Sequence, residues 1–443
     1  MPTSVLIGAD AKVLAVHQGF KDTDRMQLEA LFIGALGTLP RSLNRSTDNM
    51  KTTGMTNPPG QKSSIESRAS TSGAIVLAAL ALPGVWMAPA QAQGAPEQGT
   101  IAFKFLHYRD SQPGLKRITV NSPSLYLLAP LGPDWSVEGS LVLDSVSGAT
   151  PRWQSSISSA SVMREKRAAG DVKVTRYRDR SSYSFGLGHS KENDYLSNTI
   201  LLGGTWSSPD KNTTWNIGLS STDDTIEPTG GGVNNIGKQK RRADEMLVGF
   251  SQALSSTDLV QLNLTLNAGK GFYSDPYKAL DVRPEARKQA ALLGRWNHHL
   301  AGDGSTLRGS YRFYRDSYGI KAHTWQLDWA KPLDPRWTLT PQLRYHSQGA
   351  ARFYVQPQFD AAGNIVLPTP PVGELISGDP RLSAFGAVTL GLRADYKLTD
   401  LWTLDGKLES YEQRSHWRLG GQGSRGLAPL RATLLQVGAR RLF

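Results

Sequence analysis

The sequence predicts a transmembrane β-barrel of about sixteen antiparallel strands. Three observations carry that prediction. Apolar and polar side chains alternate residue by residue over most of the chain after residue 93, short Gly/Pro/Asp turns alternate with long polar connections, and tryptophans recur at one end of the strands.

The alternation is strict. Val260, Leu262, Leu264 and Leu266 are separated by Gln261, Asn263 and Thr265. Leu307, Gly309, Tyr311 and Phe313 oppose Arg308, Ser310 and Arg312, and Val388, Leu390, Leu392, Ala394 and Tyr396 oppose Thr389, Arg393 and Asp395. Side chains of a strand point to opposite faces in turn, so this pattern marks one apolar and one polar face. Strand-like segments lie near 100–109, 116–129, 135–145, 171–178, 182–190, 195–206, 213–223 and 243–254, then 258–268, 286–298, 305–315, 321–332, 337–347, 382–397, 402–412 and 430–443. Most have about ten residues, the length a tilted membrane strand needs. A soluble sandwich would bury one face of each sheet in a shared core. Here the polar faces carry Arg308, Arg312, Asp328, Arg344, Asp405 and Lys407, which suits a wet or ion-paired lumen.

Short turns stand at 131–134, 208–211, 255–258, 301–304, 334–336 and 399–400, and long polar loops near 146–170, 224–242, 269–285, 348–381 and 413–429. Short periplasmic turns and longer extracellular loops are the asymmetry of an outer-membrane barrel. Trp135, Trp206, Trp337 and Trp402 each sit beside a short turn, where an aromatic girdle would meet the headgroups. An even strand count leaves both termini on the short-turn side. The terminal Phe443, on an alternating last strand, fits the signal read by barrel-assembly machinery; Arg441, on the same face, departs from it.

The compartment follows from one segment. Ala74–Ala88 is apolar, interrupted by Pro83 and Gly84, preceded by Lys51, Lys62 and Arg68 and followed by Ala90-Gln-Ala92. It is too short to span a bilayer as a helix, and the order of charge, apolar run and small residues is that of a secretory signal peptide. Cleavage near Ala92 would make Gln93 the first mature residue. The expected organisation is therefore an N-terminal extension (1–49) upstream of a misplaced start, a signal peptide (50–92) and an outer-membrane barrel (93–443).

Composition narrows the chemistry. The chain has no cysteine, which excludes disulfides, thiolate metal sites and a cysteine nucleophile. The net charge of +12 is scattered through strand-like segments rather than gathered in a patch, so nucleic acid is not an expected partner. Gly232 to Gly237-Lys238 has the glycine spacing of a phosphate loop, but Gln239 replaces the hydroxyl residue that would hold magnesium. His298 and His299 point to opposite faces of a strand and cannot chelate together. His189, His323 and His346 are candidate bases for a hydrolase, yet no Gly-x-Ser-x-Gly elbow accompanies them. No metal or cofactor is expected.

Several segments resemble an uncharacterised family of proteobacterial outer-membrane barrels, a domain of unknown function. They are Asp144-Ser-Val-Ser-Gly-Ala-Thr150, His189-Ser-Lys-Glu-Asn-Asp-Tyr-Leu-Ser197 and Gly271-Phe-Tyr-Ser-Asp-Pro-Tyr-Lys278, followed by Arg283-Pro-Glu-Ala-Arg287. The resemblance covers the whole mature chain, and the loop element Ser274-Asp275-Pro276-Tyr277-Lys278 is its most specific part. It carries no catalytic residues. By association with flavin-attachment and thioredoxin-like genes it implies a redox-linked envelope process and a periplasmic redox partner.

The expected role is passage of small polar or anionic solutes across the outer membrane, in contact with its lipid. Arg308, Arg312, Arg344, Arg393, Asp328 and Asp395 are the candidate lumen or constriction residues, with Glu409 among the inward charges. They fit a selectivity ladder or cross-strand ion pairs equally. Asp275, Tyr277, Lys278, Arg283 and Arg287 share a loop that could constrict the pore or cap the barrel. The alternatives are a non-conducting scaffold for the redox system and an outer-membrane hydrolase. The oligomeric state is not legible.

Overall fold

A computed structural model describes residues 3–7, 13–18, 94–149, 162–229, 236–278, 281–356, 358–359, 365–366 and 373–443. The chain divides into two compact units. Met1–Ser64 contains a two-stranded hairpin of Thr3–Ile7 and Val13–Gln18. Ile65–Phe443 contains a closed antiparallel barrel of sixteen strands. The leader segment and its cleavage pattern lie outside the described residues.

The barrel strands are β1 (Thr100–Gln112), β2 (Leu115–Leu131), β3 (Trp135–Ala149) and β4 (Val162–Arg178). There follow β5 (Ser181–Lys191), β6 (Tyr195–Ser207), β7 (Thr213–Ile226) and β8 (Gln239–Ala253). The next four are β9 (Asp258–Gly271), β10 (Ala286–Leu300), β11 (Ser305–Asp316) and β12 (Lys321–Pro332). The last are β13 (Trp337–Gln348), β14 (Phe385–Lys397), β15 (Trp402–Arg414) and β16 (Leu430–Leu442). Each strand pairs with its sequence neighbours, and β16 closes on β1 with Val437 opposite Phe105. Closure leaves no unpaired edge, which lipid requires because it offers no hydrogen bonds to a bare backbone. The seam ends where the Gly99 amide donates to Phe443 O at 2.8 Å and the Phe443 amide donates to Gly99 O at 3.1 Å.

The outward face is a continuous apolar band. Phe105, Leu125, Phe185, Leu202, Leu219, Leu264, Leu292, Leu327, Leu343, Leu392, Leu408 and Val437 are all exposed on it. Such exposure would be a liability in water and is what a membrane solvates. At the short-turn end, Trp135, Trp206, Trp215, Trp296, Trp337 and Trp402 are all exposed and form the expected girdle. Cations settle on it. The Arg176 guanidinium stands 5.3 Å from the Trp135 ring centre and that of Arg441 5.6 Å from Trp402. That contact answers the departure at Arg441: its charge rests on an interfacial ring rather than in hydrocarbon.

Deleting Phe443 should remove both hydrogen bonds that finish the β1–β16 seam, each worth ~1 kcal/mol net, together with the ring that packs on Gly99. The expected result is a reduced heat-modifiable barrel band in the membrane fraction. An undiminished band would separate Phe443 from assembly.

Several strands run three or four residues further into the loop end than the sequence expectation, as at Gln112, Ala149, Gln239 and Gly271, and two starts are instructive. β4 starts at Val162, not near 171, because Met163–Ala168 pair with the far end of β3. Its Arg164, Lys166 and Arg167 look like loop residues until that register places Arg167 inside against Asp144. β14 starts at Phe385 rather than 382, since Pro380–Leu382 form a 3-10 turn capped by the Asp379 side chain. The loop end is also less uniform than expected. Its connections include short ones at 113–114, 192–194 and 317–320 beside the long ones, whereas the opposite end has short turns throughout.

Candidate functional site

The lumen wall is built by register. A residue opposite an inward residue is itself inward, so Lys104, Glu138, Asp144, Lys173, Arg241, Asp328, Arg344, Arg393 and Lys407 all face inside. Most of these charges neutralise one another. Arg167 meets Asp144 at 2.5 Å, Lys173 meets Glu138 at 2.7 Å and Arg241 meets Asp224 at 2.7 Å. Lys104 lies 3.5 Å from Asp405, Lys407 2.6 Å from Glu409, and Arg393 2.6 Å from Asp395.

The inner face of β11–β13 is different. Arg308 stands opposite Asp328, Arg312 opposite Thr324, and Arg344 opposite Gln326. Asp328 is engaged by the Gln326 amide at 2.8 Å, and Arg344 donates to the Gln326 carbonyl at 2.8 Å. Arg312 lies over the Tyr314 ring at 5.2 Å. Among the described residues no carboxylate is within ion-pair distance of Arg308, Arg312 or Arg344, and Arg308 and Arg312 are exposed to the lumen. Four residues of strand separate Arg308 from Arg312, about 13 Å of rise, so the three guanidiniums form a positive ladder along one wall. Of the six candidate lumen residues, Arg393 and Asp395 are therefore a mutual pair, and the three unpaired arginines sit together with Asp328 between them.

The loop motif builds a second centre at the loop end. Asp379, fully buried in the β13–β14 connection, accepts from Lys278 at 2.8 Å, Arg283 at 2.8 Å and Arg381 at 2.5 Å. Arg283 also meets Asp281 at 2.8 Å, and Lys278 meets Asp275 at 3.2 Å. Burial pushes the Asp379 carboxyl up, but Lys278, Arg381 and Arg283 outweigh it and hold it well below the ordinary carboxylate range. Ser274 accepts from the Arg283 amide at 3.0 Å, and Pro276 carries the turn between Asp275 and Tyr277. Tyr277 donates to Asp194 at 2.6 Å and accepts from the Thr229 amide at 2.9 Å. Burial and Asp194 raise the Tyr277 hydroxyl above its ordinary value, so it stays a donor. Arg287 meets Asp316 at 2.5 Å and lies 4.5 Å from the Tyr318 ring centre. Below this, Tyr318, Ile320, Ala351, Phe353 and Leu382 form a buried apolar cluster against Tyr314, an inward residue.

The same loop enters the barrel mouth. Tyr273 lies 5.3 Å from the inward Arg241 guanidinium. A Cβ on Gly269, also inward, would fall 1.9 Å from the Tyr273 hydroxyl, so only glycine lets the ring lie there. The motif thus ties five connections together across the mouth. The sequence reading did not single out Asp379, Arg381 and Asp194, partners of the motif from other connections, or Asp281 within its own. The one local signal was Asp379-Pro380, a turn-initiating dipeptide.

Each histidine named in the sequence analysis bonds a side chain on a neighbouring strand. His189 bonds Asn198 at 2.8 Å, His323 bonds Tyr311 at 2.7 Å and His346 bonds Thr324 at 2.8 Å. His298 bonds Asp258 at 2.8 Å and His299 faces Thr306 at 3.4 Å. Among the described residues no group of three or more His, Asp or Glu side chains could hold a metal ion. Gly232 and its neighbours lie outside the described residues.

The family model described as "Protein of unknown function (DUF3570)" matches residues 72–163 and 154–434. The chain belongs to this family. No curated protein matches it. Among solved structures, this family member is similar to the siderophore receptor PirA from Pseudomonas aeruginosa at 10% identity and a TM-score of 0.42, over 77% of this chain and 62% of that one. It therefore spans under two thirds of that receptor's length. It is also similar to a bacterial polysaccharide outer membrane secretin (9% identity, TM-score 0.45, 77% of this chain and 98% of that one). A third similar structure is Pseudomonas aeruginosa OccK2 (OpdF) in complex with glucuronate (10% identity, TM-score 0.40, 79% of this chain and 100% of that one).

Proposed function

We propose that the chain is an outer-membrane channel for small anionic solutes, with its loop end outside the cell. The observation that carries this reading is the ladder of Arg308, Arg312 and Arg344 on the inner face of β11–β13, the first two exposed, the third half-buried, and all three without carboxylate partners among the described residues. Most basic groups elsewhere in the lumen are ion-paired, so three arginines against the single Asp328 leave this wall with a net positive charge. A barrel of about sixteen strands is wide enough for water and small solutes unless loops fill it.

The test is single-channel recording of the refolded barrel, residues 93–443, in a planar bilayer. Stable anion-selective steps are expected. Arg312→Glu with Arg344→Glu should lower the anion preference by about fivefold or more, since one unit charge at ~4 Å in water is worth ~1 kcal/mol. Cation selectivity in the unaltered barrel, or a selectivity indifferent to the double substitution, would overturn the reading.

A second reading rests on the Asp379 network and Tyr273, which tie connections together at the mouth. If the folded barrel never conducts, the loops act as a permanent cap and the protein is a scaffold. The redox partner suggested by the family resemblance would then be the first candidate to seek in a pull-down.

A further inference from the structure

The outer wall holds a feature that the channel reading does not use. At the loop end of β8–β12 each consecutive strand carries an outward cation: Arg242, Lys270, Lys288, Arg315 and Lys321, with Lys240 a second one on β8. All six are exposed. At ~4.8 Å between strands the belt is about 19 Å wide. Arg352 joins it from the β13–β14 connection, donating to Ser317 O at 2.6 Å. Gly319 makes that approach possible: its φ is +95°, and a Cβ there would lie 2.8 Å from Arg352 Cγ.

The belt contains two like-charge neighbours. Arg242 stands directly opposite Lys270, and Arg315 directly opposite Lys321. Like charges at such positions repel and destabilise a sheet. The nearby outward carboxylates are Asp223 and Asp244, and Asp244 is already held by Ser221 at 2.7 Å and Arg242 at 3.3 Å. Among the described residues no ion pair engages Lys270, Lys288, Arg315 or Lys321. A bound anion would relieve both repulsions.

Directly below the belt lies a groove of about 1200 Å³. Its floor is apolar, with Ile200, Leu202, Leu219, Met246 and Leu266 exposed on the membrane face. Cations above and an apolar channel below match the boundary between headgroups and acyl chains. Most glycerophospholipids, such as phosphatidylglycerol, carry one phosphate over two chains. A belt of this width suits a larger headgroup with more than one phosphate.

We propose that this groove binds a phosphorylated, multiply acylated glycolipid of the outer leaflet. The phosphates are held by Arg315, Lys321, Lys288 and Arg352, and acyl chains lie on the Ile200–Leu219–Leu266 floor. The inference rests on the outward orientation of the loop end, which belongs to the channel reading, but not on conduction.

The test is native mass spectrometry of the full barrel in detergent, titrated with purified lipid A, with its dephosphorylated form and with phosphatidylglycerol. Lipid A is expected to bind at least about tenfold more tightly than either, from charge-assisted contacts to phosphate. Arg315→Gln with Lys321→Gln should abolish that preference. The variant should fold as well as the parent, because it removes a repulsion, and heat-modifiability checks this. Equal binding of the three lipids, or a preference unchanged in the variant, would overturn the site. Single-channel conductance of the same variant should be unaltered, so failure of the groove and failure of the channel reading are separable.

Discussion

Asp379→Asn is expected to release the β9–β10 and β13–β14 connections while leaving the barrel closed. The carboxylate is fully buried and answers Lys278, Arg283 and Arg381 at once. Removing it leaves those cations with Asp275 and Asp281 alone. Breaking a buried ion pair from one side typically costs ~3–5 kcal/mol, because the remaining charge is stranded. The measurement is limited proteolysis of the native barrel: cleavage within 272–285 and 349–384 should accelerate, with heat-modifiability retained. Unchanged cleavage would mean that the loops are held by the Tyr318–Phe353 apolar cluster instead.

The pH dependence follows the same pair of states. The folded Asp379 carboxyl is held well below the ordinary range. Its contribution is therefore fully present above the usual aspartate value of about 3.9 and is lost as the pH falls from there towards the folded value. The loops should stay protected at pH 5 in the parent protein and open only in strong acid.

The second large effect concerns the membrane face. Leu392→Arg should cost ~2–4 kcal/mol, the penalty for a cation near the midplane of a barrel's lipid face. Leu392 is half exposed, between the outward Pro341 on β13 and Leu408 on β15. Urea unfolding of the barrel refolded into lipid vesicles measures it. The neighbouring inward change Thr389→Ser should be near neutral. If both variants unfold at the parent midpoint, the outward face of β14 is not in hydrocarbon.

Much of this architecture was legible in the chain. The alternation at 260–267, 307–313 and 388–396 is a local property, since each side chain's face is fixed by its neighbours two residues away. Lipid and lumen differ so sharply that apolar Leu390 and Leu392 and polar Thr389 and Arg393 could take only one arrangement. The girdle tryptophans were equally readable, being tied to short turns a residue or two away. Charged stretches misled. Arg164–Arg167 read as loop because their pairing with Asp144–Ser147 is not written locally.

The sequence by itself determined the fold class, the strand number and the faces of the alternating segments, because these depend on a two-residue period and a sharp choice of solvent. Only the tertiary structure decided which lumen charges cancel and which do not. Arg393 meets Asp395 within one strand, while Arg308 and Arg344 depend on what β12 brings opposite. It also decided that the loop motif is a tie across the mouth, for Arg283 and Asp379 stand 96 residues apart and Tyr277 and Asp194 stand 83 apart. Contacts at that separation are set by closure of the barrel, which brings loop tips together whatever their distance along the chain.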